Sequence, residues 1–260
     1  MKTVKVLVFS GYGLNCEEET KHAFKLAGGE ADIVHINDLV AGEKKLKDYD
    51  ILVFPGGFSY GDDTGSGKAY ANKIKNHLSR DIQKFIESGK LMIGICNGFQ
   101  ILTNLGVLPG ALTYNKGARY TDRWVDLKFT GESPWLKGLD EISIPIAHGE
   151  GRYYADKKTL EDLKKNKAIA AKYIKGEICE YQNLPANPNG ALEDIAGVLG
   201  AEGRILGIMP HPERGMFISQ FPNFFLMKEK SRREGKELPR FGPGFQIFKN
   251  GIDYFKTRNH

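Results

Sequence analysis

Short apolar runs alternate with amphipathic segments through the first half of the chain. Four runs have the length and composition of strands: Val4–Ser10, Ala31–Ile36, Asp50–Phe54 and Leu91–Ile95. Asn15 is the predicted cap of the first helix, and from Lys73 to Glu87 the apolar residues again recur on one helical face. This alternation is typical of a parallel sheet covered by helices. Leu91–Ile95 is apolar on both faces, as a central strand of such a sheet should be.

The second half of the chain is less regular. The predicted strands there are Val125–Phe129, Ile142–Ala147, Ile195–Leu199 and Arg204–Met209. Thr159–Lys165 is predicted as a short helix, and an aromatic stripe from Phe245 to Phe255 as a closing helix. No repeat or low-complexity linker divides the sequence. We predict one α/β domain over residues 1–260, an open, mostly parallel sheet flanked by helices with additional antiparallel strands, ending in a basic extension at about residues 215–260.

Composition excludes several classes of protein. With 41% hydrophobic and 27% charged residues, the 260-residue chain can bury a core and is not intrinsically disordered. The net charge of +5 is too small to indicate nucleic acid binding. The whole excess of positive charge lies in residues 215–260, which contain nine basic and four acidic residues. The charged run Lys228–Arg240 is therefore either a contact for a partner protein or a solvated loop before the closing helix.

The sequence also argues against export, membrane insertion and a metal site. Leu91–Asn115 has the length of a membrane span, but its polar residues, glycines and Pro109 favour two short elements of a folded domain. The N-terminus lacks the apolar stretch of a secretory signal. Three cysteines cannot all pair and lack zinc-site spacing, so we expect reduced thiols in the cytoplasm.

The strongest chemical signal is Gly94-Ile95-Cys96-Asn97-Gly98, at the end of the predicted central strand. A nucleophile on a sharp strand-to-helix turn is presented clear of the sheet, and glycines let the two backbones approach. The residue after it lies at a helix N-terminus, where a free N–H can face developing negative charge. This favours catalysis by Cys96 over the alternative of a small buried apolar residue.

Two further segments follow predicted strands. In Pro210-His211-Pro212-Glu213-Arg214 the prolines favour an extended chain, so His211 and Glu213 project the same way and the carboxylate can orient the imidazole. In Pro55-Gly56-Gly57-Phe58 the glycines allow a backbone N–H to turn towards an oxyanion. Taken alone, the His211–Glu213 segment is better explained as a solvated turn, and the glycine segment is equally well explained as an ordinary loop.

Phosphate-binding motifs fit less well. Gly11-Tyr12-Gly13 follows the first strand, but Cys16 stands where a dinucleotide fingerprint needs glycine. Gly67-Lys68 resembles the end of a P-loop, but Ala69 replaces the hydroxyl that binds magnesium. Neither is interpreted as a nucleotide site, and Cys16 and Cys179 are assigned no chemistry.

Five segments together resemble the glutaminase subunit of phosphoribosylformylglycinamidine synthase, a branch of the class I, triad-type glutamine amidotransferases. In the order of that family they are Asn15–Glu17, Pro55–Asp62, Gly94–Gln100, His148–Arg152 and Pro210–Arg214. The blocks Gly-Phe-Ser-Tyr-Gly-Asp and His-Gly-Glu-Gly-Arg single out this branch, and the similarity extends over nearly the whole chain. The resemblance implies a flavodoxin-like, class I amidotransferase fold.

The resemblance also implies roles for residues. Cys96 is the expected nucleophile, His211 the proton carrier and Glu213 its orienting carboxylate, with the backbone N–H groups of Gly57 and Asn97 as oxyanion hole. The expected glutamine-binding residues are Phe58, Gln100, His148, Gly149 and Glu150.

The implied function is hydrolysis of L-glutamine through a cysteine thioester. The ammonia would pass to a separate synthetase large subunit, which works with a small accessory subunit and uses ATP and Mg to make formylglycinamidine ribonucleotide in purine biosynthesis. No cofactor or metal is expected on this chain, and neither nucleic acid nor membrane as partner. Two alternatives remain open here: a cysteine hydrolase of the same fold acting on a γ-glutamyl substrate, and a non-catalytic regulatory module.

Overall fold

The alternating pattern of the first half forms a parallel sheet in a computed structural model of the chain, which describes residues 3–63 and 65–257. Within these residues the strands are β1 Lys5–Ser10, β2 Glu30–His35, β3 Ile51–Phe54, β4 Leu91–Ile95, β5 Ala111–Thr113, β6 Thr121–Phe129, β7 Glu141–His148, β8 Arg152–Tyr154, β9 Ile169–Ile174, β10 Ile195–Gly200 and β11 Ile205–Ile208. The α-helices are α1 Glu17–Leu26, α2 Ile36–Val40, α3 Lys68–His77, α4 Ser79–Glu87, α5 Asn97–Leu105, α6 Lys157–Lys165, α7 Glu177–Gln182, α8 Phe224–Arg233 and α9 Phe245–Thr257.

Nine strands of the described chain form one sheet in the order β2-β1-β3-β4-β11-β10-β9-β6-β7, while β5 and β8 pair separately. The pairs that join β2, β1, β3, β4 and β11 are parallel. The pairs that join β11, β10, β9, β6 and β7 are antiparallel. The predicted fold class, a mostly parallel α/β sheet with added antiparallel strands, is confirmed. β4 lies between β3 and β11 and is buried at every position, as its apolar sequence indicates.

The apolar core joins the start and the end of the described chain. Phe9 of β1 stacks on Phe54 of β3, with 4.2 Å between ring centroids. The closing helix α9 buries its aromatic stripe, and Phe248 packs edge-to-face on Phe24 of α1. A Cβ at Gly251 would lie 2.5 Å from the Trp135 ring, so this side of α9 meets the indole directly. The predicted closing helix is therefore confirmed and belongs to the core.

Four details differ from the sequence predictions. The single helix expected over Lys73–Glu87 is two helices, α3 and α4, because the chain breaks at Leu78, where φ is −125°. Asn15 does not cap α1, whose N-cap residue is Cys16. The charged run Lys228–Arg240 is helical up to Arg233. Strands β5, β8 and β9 are not among the predicted strands; β5 and β8 have only three residues each, and the alanines of β9 carry little β signal.

No helix among residues 3–63 and 65–257 combines the length and apolarity of a membrane span. The stretch Leu91–Asn115, which has the length of a membrane span, contains the short elements β4, α5 and β5.

Candidate active site

Three of the predicted motifs meet at one edge of the sheet. β3, β4 and β11 are adjacent and parallel, so their carboxyl ends lie side by side. Gly56 and Gly57 follow β3, Cys96 follows β4 and His211 follows β11 after a short connection. Ligands of open α/β sheets bind at such carboxyl ends. The register of the strands thus brings together residues that are distant in sequence.

Cys96 occupies a strained turn between β4 and α5. Its φ of 50° and ψ of −106° are rare for a residue other than glycine. The turn is tight: a Cβ at Gly98 would lie 1.8 Å from the carbonyl oxygen of Phe54, and one at Gly94 2.6 Å from that of Gly98. Both flanking glycines are therefore needed for strand and helix to approach. The Cys96 side chain is almost fully buried, and its Sγ lies 3.7 Å from the carbonyl oxygen of Ala147.

His211 and Glu213 form a buried pair. Nδ1 of His211 donates to Oε1 of Glu213 over 2.5 Å, and the two residues are 2% and 1% exposed. Burial lowers the pKa of His211, but the Glu213 carboxylate and then the thiols of Cys96 and Cys16 outweigh it, so the net pKa is well above its usual value. Nε2 of His211 has no hydrogen-bond partner among the described residues. It is the ring atom left free to exchange a proton.

The edge strand β7 returns to the site from the far end of the sheet. The backbone N–H of His211 donates to the carbonyl oxygen of Pro145 over 2.8 Å, and this bond helps fix the histidine segment. Further along β7, the carbonyl oxygen of Ala147 lies 3.7 Å from Sγ of Cys96, and His148 is close enough to His211 for the charge of His211 to lower its pKa. The antiparallel half of the sheet therefore supplies one wall of the site.

The geometry at Gly57 and Asn97 provides two backbone N–H groups. Gly57 pairs with Leu14 in an isolated antiparallel bridge. Its two hydrogen bonds are made by neighbouring residues: the N–H of Asn15 donates to the Gly56 carbonyl oxygen over 3.1 Å, and the N–H of Phe58 to that of Gly13 over 2.9 Å. That bridge does not use the N–H of Gly57, which has a φ of +150° that favours glycine. Asn97 is the first residue of α5, where a backbone N–H has no partner within the helix.

The other predicted binding residues border the same site. The side chain of Gln100 donates to the carbonyl oxygen of Glu150 over 2.7 Å and accepts from Asn97 over 2.8 Å, so it holds the Glu150 segment in place. The Glu150 carboxylate accepts from the backbone N–H of Ser66 over 3.3 Å. Phe58 lies at the surface, with 6.0 Å between its ring centroid and that of Tyr120.

Next to this segment, Asp62 adds a second carboxylate. Asn97 donates to it over 3.4 Å. Burial, and to a lesser extent the Glu150 carboxylate, raise the pKa of Asp62. Two acidic side chains thus share this border of the site, and a cation placed there would be favoured.

His148 and Gly149 are held by a residue that the sequence analysis did not single out. Nδ1 of His148 lies 3.1 Å from Oδ1 of Asn115, while Nδ2 of Asn115 donates to the His148 carbonyl oxygen over 2.8 Å. Gly149 accepts from the backbone N–H of Asn115 over 2.9 Å. Burial, followed by the positive charge of His211, lowers the pKa of His148 to about 3, so this imidazole is neutral. Asn115 carries no motif signal that sequence reasoning could have used.

Cys16, which the sequence analysis left without a role, also lies in the site. Its Sγ, a ring nitrogen of His211 and a carboxylate oxygen of Glu213 lie within 4.8 Å of one another. These are donor types that bind transition metals. However, the Arg214 guanidinium donates to Sγ of Cys16 over 3.0 Å, and its positive charge opposes a cation there. The cluster fits a network around the histidine better than a metal centre. Cys179, by contrast, lies in α7, where its N–H donates to Asp126.

Comparison with known proteins places this geometry among amidotransferases. The family described as CobB/CobQ-like glutamine amidotransferase domain matches residues 3–255. A Methanococcus maripaludis (strain C7) protein, phosphoribosylformylglycinamidine synthase subunit PurQ, is 54% identical over 96% of this chain and 97% of its own. A Treponema denticola protein of the same name is 39% identical over 96% of this chain and 98% of its own.

Solved structures agree. A chain in the structure of PurLQS from Thermotoga maritima is 31% identical, with a TM-score of 0.73, and the match covers 98% of this chain and 100% of that one. A second glutamine amidotransferase of Thermotoga maritima, 14% identical with a TM-score of 0.52 over 99% of this chain and 94% of its own, shares the fold.

Proposed function

The chain belongs to the glutamine amidotransferase family, in the branch of glutaminase subunits of phosphoribosylformylglycinamidine synthase, and on that premise we propose the role of each residue at its active site. One observation carries the proposal. The nucleophile turn at Cys96 and the buried His211–Glu213 pair lie at the same edge of the sheet. Cys96 is close enough to His211 to help raise its pKa. A thiol, an imidazole and an orienting carboxylate are the three groups that thioester chemistry requires.

The reaction then proceeds in two halves. Sγ of Cys96 attacks the side-chain carboxamide carbon of glutamine, and the thiol proton goes to Nε2 of His211. The imidazolium returns that proton to the leaving nitrogen, the carbon–nitrogen bond breaks and ammonia departs. Water next attacks the thioester and gives its proton to His211. The carbon–sulfur bond breaks to release glutamate, and His211 returns that proton to Sγ of Cys96, which restores the thiol. Glu213 holds the Nδ1 proton throughout and stabilises the imidazolium.

Two backbone donors stabilise the tetrahedral intermediates in this proposal. The N–H groups of Gly57 and Asn97 supply the oxyanion hole, which the spare N–H of Gly57 and the helix position of Asn97 support. Donors of this kind lower the barrier because they are in place before charge develops, and loss of one typically costs about a hundredfold in rate.

Glutamine itself is recognised by the acidic border of the site. The Glu150 carboxylate, with Asp62 beside it, complements the α-ammonium group of the substrate. Gln100 positions the Glu150 segment, the neutral His148 and Gly149 form the neighbouring wall, and Phe58 covers the opening. Selection of the ammonium group distinguishes glutamine from amides that lack an α-amino group.

The ammonia is passed to a second protein. In water at neutral pH most ammonia is protonated and no longer nucleophilic, so a shielded route to the acceptor is required. We propose that the acceptor site belongs to a synthetase large subunit, which binds ATP and Mg, in a complex with a small accessory subunit; the assembly named for the Thermotoga maritima relative supports this. The three free cysteines support a cytoplasmic location. Neither nucleic acid nor a membrane is a proposed partner.

The basic extension is a candidate contact with that synthetase. Phe225 and Leu226 of helix α8 are 82% and 44% exposed. The same helix contributes Arg232 to the border of a cavity of about 750 Å³, which Lys236 and Arg240 also line. Exposed aromatic residues with flanking arginines are common at protein interfaces.

Co-purification with a candidate synthetase tests the function as a whole. The complex is expected to form amidine from glutamine, and the chain alone to hydrolyse glutamine poorly. A glutamine-analogue electrophile should label Cys96. Failure to label Cys96 would favour a regulatory module, whereas labelling only by γ-glutamyl conjugates would favour a different hydrolase. Full activity without the synthetase would contradict the dependence on the complex.

A further inference from the structure

The side chain of Cys16 lies at a helix N-terminus but does not cap it. Cys16 is the N-cap residue of α1, a position where Ser, Thr, Asp or Asn normally caps the helix with a side-chain oxygen. The Cys16 side chain makes no capping bond, and it is only 1% exposed. The backbone of Cys16 helps to fix the start of the helix, since its carbonyl oxygen accepts from the hydroxyl of Thr20 over 2.6 Å. The thiol donates to Oδ1 of Asn15 over 3.5 Å, and its sulfur can still accept a hydrogen bond from another group.

The thiol is directed to the catalytic histidine. A Cβ built at Gly56 would lie 2.6 Å from Cε1 of His211 and 3.0 Å from Sγ of Cys16, so the imidazole and the thiol border the same small space beside Gly56. Cε1 is the ring carbon between Nδ1 and Nε2. Glu213 already holds Nδ1, and Sγ of Cys16 lies within 4.8 Å of a ring nitrogen, near the side of the ring that faces Gly56.

The thiol and the backbone of Cys16 are each fixed by a further hydrogen bond. Nη2 of Arg214 donates to Sγ over 3.0 Å, and Nε of the same guanidinium lies 3.5 Å from Oε1 of Glu19 in α1. The backbone N–H of Cys16 donates to the carbonyl oxygen of Gly56 over 3.2 Å. Arg214 follows Glu213 directly in the sequence, so the guanidinium ties α1 to the same segment that carries the histidine.

We propose that Cys16 is a positioning residue of the glutaminase reaction, whose thiol, fixed by Arg214, holds the imidazole of His211 with Nε2 directed to Cys96. Glu213 alone fixes one ring nitrogen and leaves the ring free to tilt about that bond. A second contact at the Cε1 side removes this freedom. The inference rests on the proposed function, because it assigns a task only if His211 carries the proton.

The size and state of the side chain suit this task. Burial raises the pKa of the Cys16 thiol, and the contact with His211 lowers it less, so the group remains a neutral thiol beside the imidazole. A neutral sulfur fills the space and accepts from Arg214 without competing with Cys96 as a nucleophile. Serine is smaller but can still accept from the guanidinium, whereas alanine leaves a gap.

The test compares Cys16→Ala and Cys16→Ser with Cys179→Ala in the complex with the synthetase. Cys179 is also buried and free but lies away from the site, so it reports the general effect of losing a buried thiol. For each variant, kcat, KM for glutamine, the pH profile of kcat/KM and the thermal midpoint are measured. The rate at which iodoacetamide modifies Cys96 is followed on its peptide by mass spectrometry.

A positioning role predicts a specific pattern. Cys16→Ala lowers kcat about 10-fold or more with KM within about twofold, as typical for loss of a group that orients a reacting residue. Its acidic limb of kcat/KM moves to lower pH, because His211 must be unprotonated to accept the thiol proton and loss of the Cys16 contact lowers the pKa of His211. Cys16→Ser recovers to within about threefold of wild-type kcat, and Cys179→Ala keeps the wild-type values.

Unchanged kcat and pH profile in Cys16→Ala would overturn the proposal, as would a loss no larger than that of Cys179→Ala. If Cys16→Ala does not fold, Arg214→Gln provides the test, because it removes the guanidinium bond that fixes the thiol and leaves Cys16 itself unaltered. A wild-type kcat and pH profile in Arg214→Gln would then overturn the proposal. The proposed function is tested separately by the wild-type complex and by Cys96→Ala, whatever the outcome at Cys16.

Discussion

Nδ1 of His211 lies 2.5 Å from Oε1 of Glu213, and both side chains are shielded from solvent. The carboxylate therefore fixes the tautomer and favours the imidazolium, which outweighs the cost of burying that charge. The pair can accept a proton from the nucleophile and return it to the leaving group. Because this proton transfer depends on the single carboxylate of Glu213, a substitution at that residue can test it.

Replacing Glu213 by Gln should remove this control of His211. We expect Glu213→Gln to lower kcat by about 100-fold or more with little change in KM, because the glutamine amide neither stabilises the imidazolium nor fixes its tautomer as well. Steady-state glutaminase kinetics in the complex measure both constants. Wild-type kcat in this variant would show that the carboxylate has no catalytic role.

The Glu150 carboxylate should determine affinity for the substrate ammonium group. We expect Glu150→Gln to raise KM for glutamine about 10-fold or more, since one charge-assisted hydrogen bond is lost. The exposed Glu161 of α6 provides the control, Glu161→Gln. If Glu150→Gln lowers only kcat, the residue acts on chemistry and not on binding.

The buried neutral His148 predicts a particular dependence of stability on pH. Its pKa is lowered to about 3 by burial and by His211, so the unfolded chain binds more protons as pH falls below about 6.5. The free energy of unfolding should therefore decrease as the pH falls from about 6.5 to 3. Urea unfolding of His148→Gln should show a smaller decrease over this range, and the exposed His77→Gln should match the wild type. An unchanged slope in His148→Gln would contradict the assignment.

Helix α8 should contribute to assembly with the synthetase. Arg232 and Arg233 both pair with Glu229 of the same helix, so neutralising them alters the surface and leaves the core intact. We expect Phe225→Ser, and the double change R232Q and R233Q, to weaken complex formation in analytical ultracentrifugation, the second change more strongly at low salt. Unchanged assembly in both variants would identify α8 as a solvated helix.

Local features of the site could be predicted from sequence. The glycines around Cys96 and the apolar strand before it specify a tight strand-to-helix turn, and the structure has that turn. His211 and Glu213, two residues apart in a proline-rich segment, form the expected pair. In each case the information lies within a few residues of the group concerned.

Relationships between distant segments could not be predicted. Nothing near β11 indicates that it pairs with β4, and nothing near β7 indicates that an edge strand returns to Cys96. Cys16 was overlooked for the same reason, because its contact with His211 depends on the bridge between the loops at Leu14 and Gly57. Such placements follow from sheet order, which a single sequence does not specify.

The most direct test of the account is Cys96→Ala in the reconstituted complex, with glutamine or ammonium salt as the nitrogen source. Removing the thiol should abolish glutamine-dependent amidine formation, because no thioester can form, while ammonia-dependent formation continues at the synthetase. Retained glutaminase activity would contradict Cys96 as the nucleophile, and loss of the ammonia-dependent reaction as well would contradict the division of labour between the two proteins.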